Sequence, residues 1–287
     1  MELRKYLPLF KLRICVLITF SAIVGSIAAQ SADSSVYKMA LLILATMLAA
    51  TGASADHHYF DMHIDRVMKR TTARPIPFRD INPSYALLFA SILLIFSMLL
   101  SFLALNLLVA IHLFLGAFVY VVVYTVWLKR RSWSNIIIGG LAGSFAVLAG
   151  GASASPELCL PPILLAVVMF FWTPSHFWSF AIFHKDDYKK AGVPMLPIVI
   201  GDKKTAIYIF INTIMLFLSS LTPYIFGYLG YAYLISAVAA GIFFIYRNIQ
   251  LLRSTTKELA WINFKASMIY LFVLLSAVVI DIGITKL

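Results

Sequence analysis

Charge is what this sequence lacks. Only 12% of its 287 residues are Asp, Glu, Lys or Arg, against about 25% in a soluble domain. So little charge cannot clothe a water-facing surface, which excludes a soluble globular domain. Cysteine is almost absent too: Cys15 and Cys159 lie far apart, both in apolar surroundings. That leaves no disulfide framework or cysteine metal knuckle, and both read as small core residues. Missing as well is a basic soluble face with interleaved aromatics, so the net charge of +11 does not imply a nucleic-acid partner.

What the chain has instead is apolar length: 62% hydrophobic residues and a mean hydropathy of +0.92. Runs of about 20 apolar residues, the length that crosses a bilayer, recur almost end to end. They predict an all-α polytopic bundle of nine transmembrane helices near 14–31, 36–55, 83–104, 107–128, 134–152, 159–182, 204–223, 227–246 and 263–284, forming one membrane domain over residues 1–287. Cytoplasmic loops collect Lys and Arg. With the N-terminus inside and the C-terminus outside, all but Lys38, Lys265 and Lys286 of the 23 basic residues fall on inside segments, and Lys265 lies near an inside helix end. The count includes Arg4, Lys5 and Arg79. The first helix also has the basic start and small-residue end of a signal peptide; a polytopic chain needs it as a start signal, so we expect it to be retained.

Two polar islands interrupt the oil. In the first, "ADHHYFDMHIDRVMKRTTARP" from Ala55 to Pro75, His57, Asp61 and Asp65 are spaced i, i+4, i+8 along one helix face. Two carboxylates one turn apart repel unless a cation or strong donor lies between them. Oxygen ligands at this spacing suit Mg²⁺, whose shell is usually completed by water and substrate phosphate. Arg66, Lys69, Arg70 and Arg74 follow closely, as a diphosphate leaving group requires. A solvated basic loop is the plainer reading for Lys69 or Arg79 alone, and a transition-metal site through His57, His58 and His63 is an alternative. The second island, from Trp172 to Ala206, carries adjacent Asp186 and Asp187 among Lys185, Lys189 and Lys190. Adjacent helical residues point about 100° apart, so these two do not chelate as the first pair does. They read as the other half of one diphosphate site.

The stretches "YFDMHIDRVMKRTTARP", "YTVWLKRRSWSNIIIGGLAGS" from Tyr124 and "HFWSFAIFHKDDYKKAGVPMLP" from His176 resemble the UbiA-type intramembrane prenyltransferases and, within them, the haem-farnesylating branch. Asp61, Asp65, Arg70, Thr71, Arg74 and Pro75 match the family pattern, as do Asp186, Asp187, Tyr188 and Gly192. The resemblance implies a nine-helix bundle, Mg²⁺ as cofactor, and transfer of farnesyl from farnesyl diphosphate to a vinyl group of haem B, giving haem O for terminal oxidases. It implies a first Mg²⁺ on Asp61 and Asp65 and a second on Asp186 or Asp187. Oxygen partners of the diphosphate would come from Arg66, Arg70, Arg74, Lys129, Arg130 and Lys190. The partners implied are the two substrates, the bilayer, and downstream haem-modifying or oxidase-assembly proteins, in the cell membrane with the site toward the cytoplasm. One position departs from the pattern. His57 stands where the family usually has Asn, so contact of its softer nitrogen with Mg²⁺ is in question, and a hydrogen bond to the diphosphate or ligation through water is its other role.

Gly139, Gly140 and Gly143 read first as close helix packing and second as a substrate groove. His176 offers an imidazole to a haem iron, or an interior hydrogen bond; His112 has no evident partner, and Tyr188 and Trp178 read as packing or interface anchors. Competing functions are a UbiA-type enzyme acting on a quinone precursor or a polyol phosphate, and a cation transporter. A transporter places acids in mid-membrane on broken helices, whereas here only Asp281 falls within a span, near its outer end.

Overall fold

Nine long helices and no strand make up the described residues of the computed structural model, which are 7–29, 35–72, 74, 81–155, 157 and 159–285. Arg4, Lys5, Pro75, Arg79 and Lys286 of the sequence argument lie outside them. The helices are α1 (Leu12–Ala28), α2 (Val36–Phe60), α3 (Pro83–Ala104), α4 (Leu107–Leu128), α5 (Asn135–Ala154), α6 (Leu160–Phe183), α7 (Asp202–Ile225), α8 (Tyr231–Arg253) and α9 (Lys257–Thr285). Eight are long and apolar enough to cross a membrane; α1, at 17 residues, is shorter. The expected and observed spans coincide except at ends. The largest shifts are at α8, which runs on to Arg253 instead of 246, and at α9, which starts at Lys257 instead of 263 because Thr256 caps it, its Oγ1 accepting from Leu259 N–H at 3.2 Å.

Consecutive helices pack side by side, and the chain closes on itself: α1 lies against α2, α5 and α9, while α6 touches α5, α7 and α9. The outward faces are oil. Leu88, Ile92, Ile95, Leu99, Phe102 and Leu103 of α3 are all exposed, an arrangement stable only in lipid. Inside, small polar side chains satisfy one another between helices, as expected where no water competes. Ser97 Oγ donates to Ala45 O at 2.7 Å, Ser144 Oγ to Ala166 O at 2.7 Å, and Asn263 Nδ2 to Ser179 Oγ at 2.9 Å. Asp281, the acid within a span, is buried and accepts from the backbone N–H groups of Gly230 at 2.6 Å and Tyr233 at 3.1 Å. A carboxylate from α9 thus caps the start of α8. Cys15 is core, but Cys159 is only half-buried, because it is the residue before α6.

At the α1–α5 contact two glycines let the helices meet closely. A Cβ on Gly150 would stand 1.8 Å from Ala22 O, and one on Gly25 would stand 2.1 Å from Val147 O, so backbone meets backbone. Gly150→Ala is therefore expected to cost at least about 1–3 kcal/mol, read as a lower thermal unfolding midpoint in detergent. Gly143→Ala is the comparison: its Cβ meets only the flexible Met169 Cε, at 3.2 Å, and the midpoint should hold.

Candidate active site

The ends of α2, α4, α6 and α8 and the starts of α3, α5, α7 and α9 gather at one end of the bundle, and the two polar islands meet there. α2 ends at Phe60, and Asp61 sits at a break before the short helix Met62–Val67. The i, i+4 hydrogen bonds nevertheless continue through the break, Asp61 N to His57 O at 3.0 Å and Asp65 N to Asp61 O at 2.8 Å. This keeps the spacing expected from sequence. Both carboxylates are buried, Asp61 completely and Asp65 to 2% exposure.

Each acid has its own cation. Lys129 Nζ forms an ion pair with Asp61 Oδ2, and His57 Nε2 contacts the same oxygen at 3.1 Å. Arg74 Nη1 donates to Asp65 Oδ2 at 2.7 Å, with His58 Nδ1 3.9 Å away. Thr71 Oγ1 donates to Asp65 O at 2.9 Å and pins the loop that carries Arg74.

Lys129 reaches Asp61 because the second half of α4, Val119–Leu128, is a π-helix, a rare form associated with functional sites. Its i→i+5 bonding is visible in the backbone bond from Lys129 N to Tyr124 O at 2.8 Å, and within it Thr125 Oγ1 donates to Tyr120 O at 2.7 Å. Thr125 gives its one proton to Tyr120 O, so it accepts from Nδ1–H of His57 at 2.9 Å. That bond orients the imidazole with Nε2 on Asp61. Tyr120 and Tyr124 stack on His57, with centroids 5.1 and 6.3 Å away, and Lys129 lies 5.7 Å over the Tyr124 ring. Gly139 makes room for that ring, since a Cβ there would meet Tyr124 Cδ2 at 2.9 Å; Gly140 and Gly143 likewise face Thr173 and Met169. The glycines are packing positions.

The second island touches the first. Arg70 lies over the Phe180 and Tyr188 rings at 5.3 and 5.4 Å, and its Nη2 donates to the Tyr188 hydroxyl at 3.3 Å. Asp187 Oδ1 accepts from Lys69 N–H at 3.3 Å. Tyr188 is buried, which raises its phenol above the usual range and keeps it a neutral hydrogen-bonding group. Asp186 is turned outward and pairs with Lys257 Nζ at 2.6 Å. That hydrogen bond and the Lys257 charge hold its carboxyl below the usual range. Arg130 is exposed and Nη2 donates to Phe60 O at 2.6 Å, closing the C-terminus of α2. Arg66 and Lys190 are exposed. His176 lies in the wall between α6 and α9, stacked on Trp172 at 4.3 Å and Phe264 at 4.4 Å, its Nδ1 2.7 Å from Ser267 Oγ.

The cluster fits a hard divalent cation at the Asp pair. Asp61 Oδ1 is buried with no hydrogen-bond partner among the described residues, a costly state for a carboxylate oxygen unless something is meant to meet it. Among the described residues no three His, Cys, Asp or Glu side chains converge on one point. The donor set is therefore incomplete for Zn²⁺, which wants at least three protein ligands, and suited to Mg²⁺, which takes one or two carboxylates and fills the remainder with water and substrate phosphate. Sequence reasoning named His58 only in the transition-metal alternative and missed Tyr120 and Thr125 as members of this cluster; nothing in an apolar run marks where its backbone turns π-helical.

Residues 18–275 match the model of the UbiA prenyltransferase family. The chain belongs to this family. Among its UbiA relatives, Protoheme IX farnesyltransferase 1 of Paramagnetospirillum magneticum is 47% identical over 281 residues, covering 98% of this chain and 99% of the relative. Protoheme IX farnesyltransferase of Methylococcus capsulatus is 38% identical, covering 97% and 93%. Among solved UbiA-fold structures, a digeranylgeranylglyceryl phosphate synthase superposes with a TM-score of 0.82 at 25% identity, covering 98% of both chains. A UbiA homologue from Archaeoglobus fulgidus bound to GPP and Mg²⁺ superposes with a TM-score of 0.69 at 15% identity, over 96% of this chain and 99% of that one. The chain is thus a multi-pass membrane prenyltransferase.

Proposed function

We propose that the enzyme transfers farnesyl from farnesyl diphosphate to a vinyl group of protohaem IX, giving haem O. The observation that carries this is the 47% identity, over nearly the whole of both chains, to a relative named for that reaction. The buried acid-and-cation cluster supplies the chemistry the reaction needs. The allylic C1–O bond breaks heterolytically and the diphosphate leaves with the electron pair. The vinyl π electrons form the new C–C bond, water adds to the carbon left electron-deficient, and a proton is lost. Mg²⁺, when bound, neutralises charge on the departing diphosphate oxygens.

Asp61 and Asp65 would hold that ion, with Asp187, beside Lys69, the nearer candidate for a second. Asp186 is committed to Lys257. Lys129, Arg74 and Arg70 line the site as fixed cations, which cost no reorganisation as charge develops. The stacked faces of Tyr120, His57 and Tyr124 give the allylic centre an electron-rich, water-poor wall. His57, anchored on Thr125 through Nδ1 with Nε2 3.1 Å from Asp61 Oδ2, packs beside the acid and fixes its position, which is how a residue other than Asn serves at this position. His176 remains the candidate iron contact through Nε2, with Nδ1 held by Ser267. The site faces the cytoplasm of the cell membrane with the N-terminus inside and the C-terminus outside, and the product passes to haem-modifying or oxidase-assembly proteins.

The test is incubation of purified protein with haem B, farnesyl diphosphate and Mg²⁺, followed by mass analysis of the haem. A gain of one farnesyl group and one hydroxyl is expected. Unmodified haem, with transfer to a quinone precursor or polyol phosphate instead, would move the enzyme to another branch of the family. For orientation, a cysteine replacing the exposed Lys69 should react with an impermeant maleimide only from the cytoplasmic side; labelling of intact cells from outside would reverse the topology.

A further inference from the structure

Lys11, which sequence reasoning placed only in the basic N-terminal segment, reaches into the site. It precedes α1 in a left-handed conformation, φ 43° and ψ 48°, the only non-glycine residue with positive φ among those described. Such strain persists only where the surroundings impose it, and here they do. Ser54 Oγ of α2 donates to Leu9 O at 3.0 Å, Cys15 Sγ donates to Phe10 O at 2.9 Å, and Leu9 is buried against Ile81 and Ala86. Held at both preceding residues, the chain turns at Lys11 and sends the side chain inward. Its Nζ donates to the Tyr120 hydroxyl at 3.3 Å, on the ring that stacks against His57.

Lys129 and Arg74 are already matched by Asp61 and Asp65, and the exposed Arg70 is engaged by the Tyr188 hydroxyl. Among the described residues no carboxylate forms an ion pair with Lys11. A basic residue serving only the positive-inside rule would extend to water, with no reason to accept a strained backbone and a phenol partner. We propose that Lys11 is a diphosphate-binding residue, an inward cation that no carboxylate neutralises before the anionic substrate arrives. The inference rests on the diphosphate reading of this cluster. Burial, then the charges of Arg74 and Lys129, lower the ammonium pKa to about 7, so an arriving anion is what restores its full charge.

The test uses the full-length protein in detergent and inorganic pyrophosphate with Mg²⁺, titrated calorimetrically. Lys11→Gln is expected to weaken binding about 10- to 100-fold, the worth of one charge-assisted hydrogen bond. KM for farnesyl diphosphate should rise in parallel while KM for haem holds. Lys11→Arg should restore most of the affinity. Lys11→Asn keeps a residue that tolerates the left-handed turn, so its loss of affinity at an unchanged unfolding midpoint separates binding from backbone effects. Arg13→Gln, exposed one residue into α1, should bind as the wild type does. Wild-type affinity in both Lys11→Gln and Lys11→Asn overturns the inference and leaves the diphosphate reading standing. A wild-type protein that binds no pyrophosphate overturns that reading and the inference with it.

Discussion

Asp65→Asn is expected to lower farnesyl transfer about 10²–10³-fold, the usual cost of removing one preorganised electrostatic group, and to leave the bundle folded. The amide keeps the shape of the side chain and still accepts from Arg74, whose side chain is partly exposed and can hydrate the charge it no longer shares. What is lost is the anionic oxygen, and with it the hold on a divalent cation. The check is turnover under saturating Mg²⁺ alongside size-exclusion behaviour and unfolding midpoint in the same detergent. Near-normal turnover would remove Asp65 from the site. Asp61→Asn is a less clean experiment, because Lys129 is almost as buried as its partner and would be left with a charge and nothing to balance it.

The same burial gives the second large effect. Lys129→Met should destabilise the protein by about 3–5 kcal/mol, the range for breaking a buried ion pair by removing one member. The remaining carboxylate is fully buried, one of its oxygens already lacks a partner, and His57 alone does not neutralise it. Replacing both members, Lys129→Met with Asp61→Asn, should recover most of the loss, because no unpaired charge then stays in the interior. Denaturant unfolding of the four proteins of this cycle measures the coupling directly. A Lys129→Met protein as stable as wild type would mean that Asp61 is uncharged in the folded state. Neither inactive variant should regain turnover with added Mg²⁺.

Much of this was legible in the sequence for a simple reason: a bilayer leaves few options, and nine apolar runs of near-spanning length are satisfied as helices. The pairing of Asp61 with Asp65 was legible too, because helical spacing survives the break after Phe60. What resisted reading was the direction in which loop charges point. Arg130 looked equivalent to Lys129 in "LKRRS", yet one closes the end of α2 and the other neutralises Asp61. Asp186 looked equivalent to Asp187, but only the latter faces the first island, because Lys257 draws its neighbour outward. His57 carried no sign that Thr125, 68 residues away, would fix its orientation. Side chains one position apart differ in fate through backbone geometry that composition does not encode.

The wide turn in α4 makes chain length itself part of the catalytic arrangement. Each residue of an ordinary helix advances the face by about 100°, and Val119–Leu128 departs from that count just enough to bring Tyr120, Tyr124 and Lys129 to one side. Deleting any single residue within this stretch would let it relax to an ordinary helix and swing everything after it away from the acids, however conservative the change in hydrophobicity. The segment works as a spacer with a fixed number of links, tolerant of which apolar residues it contains and intolerant of how many.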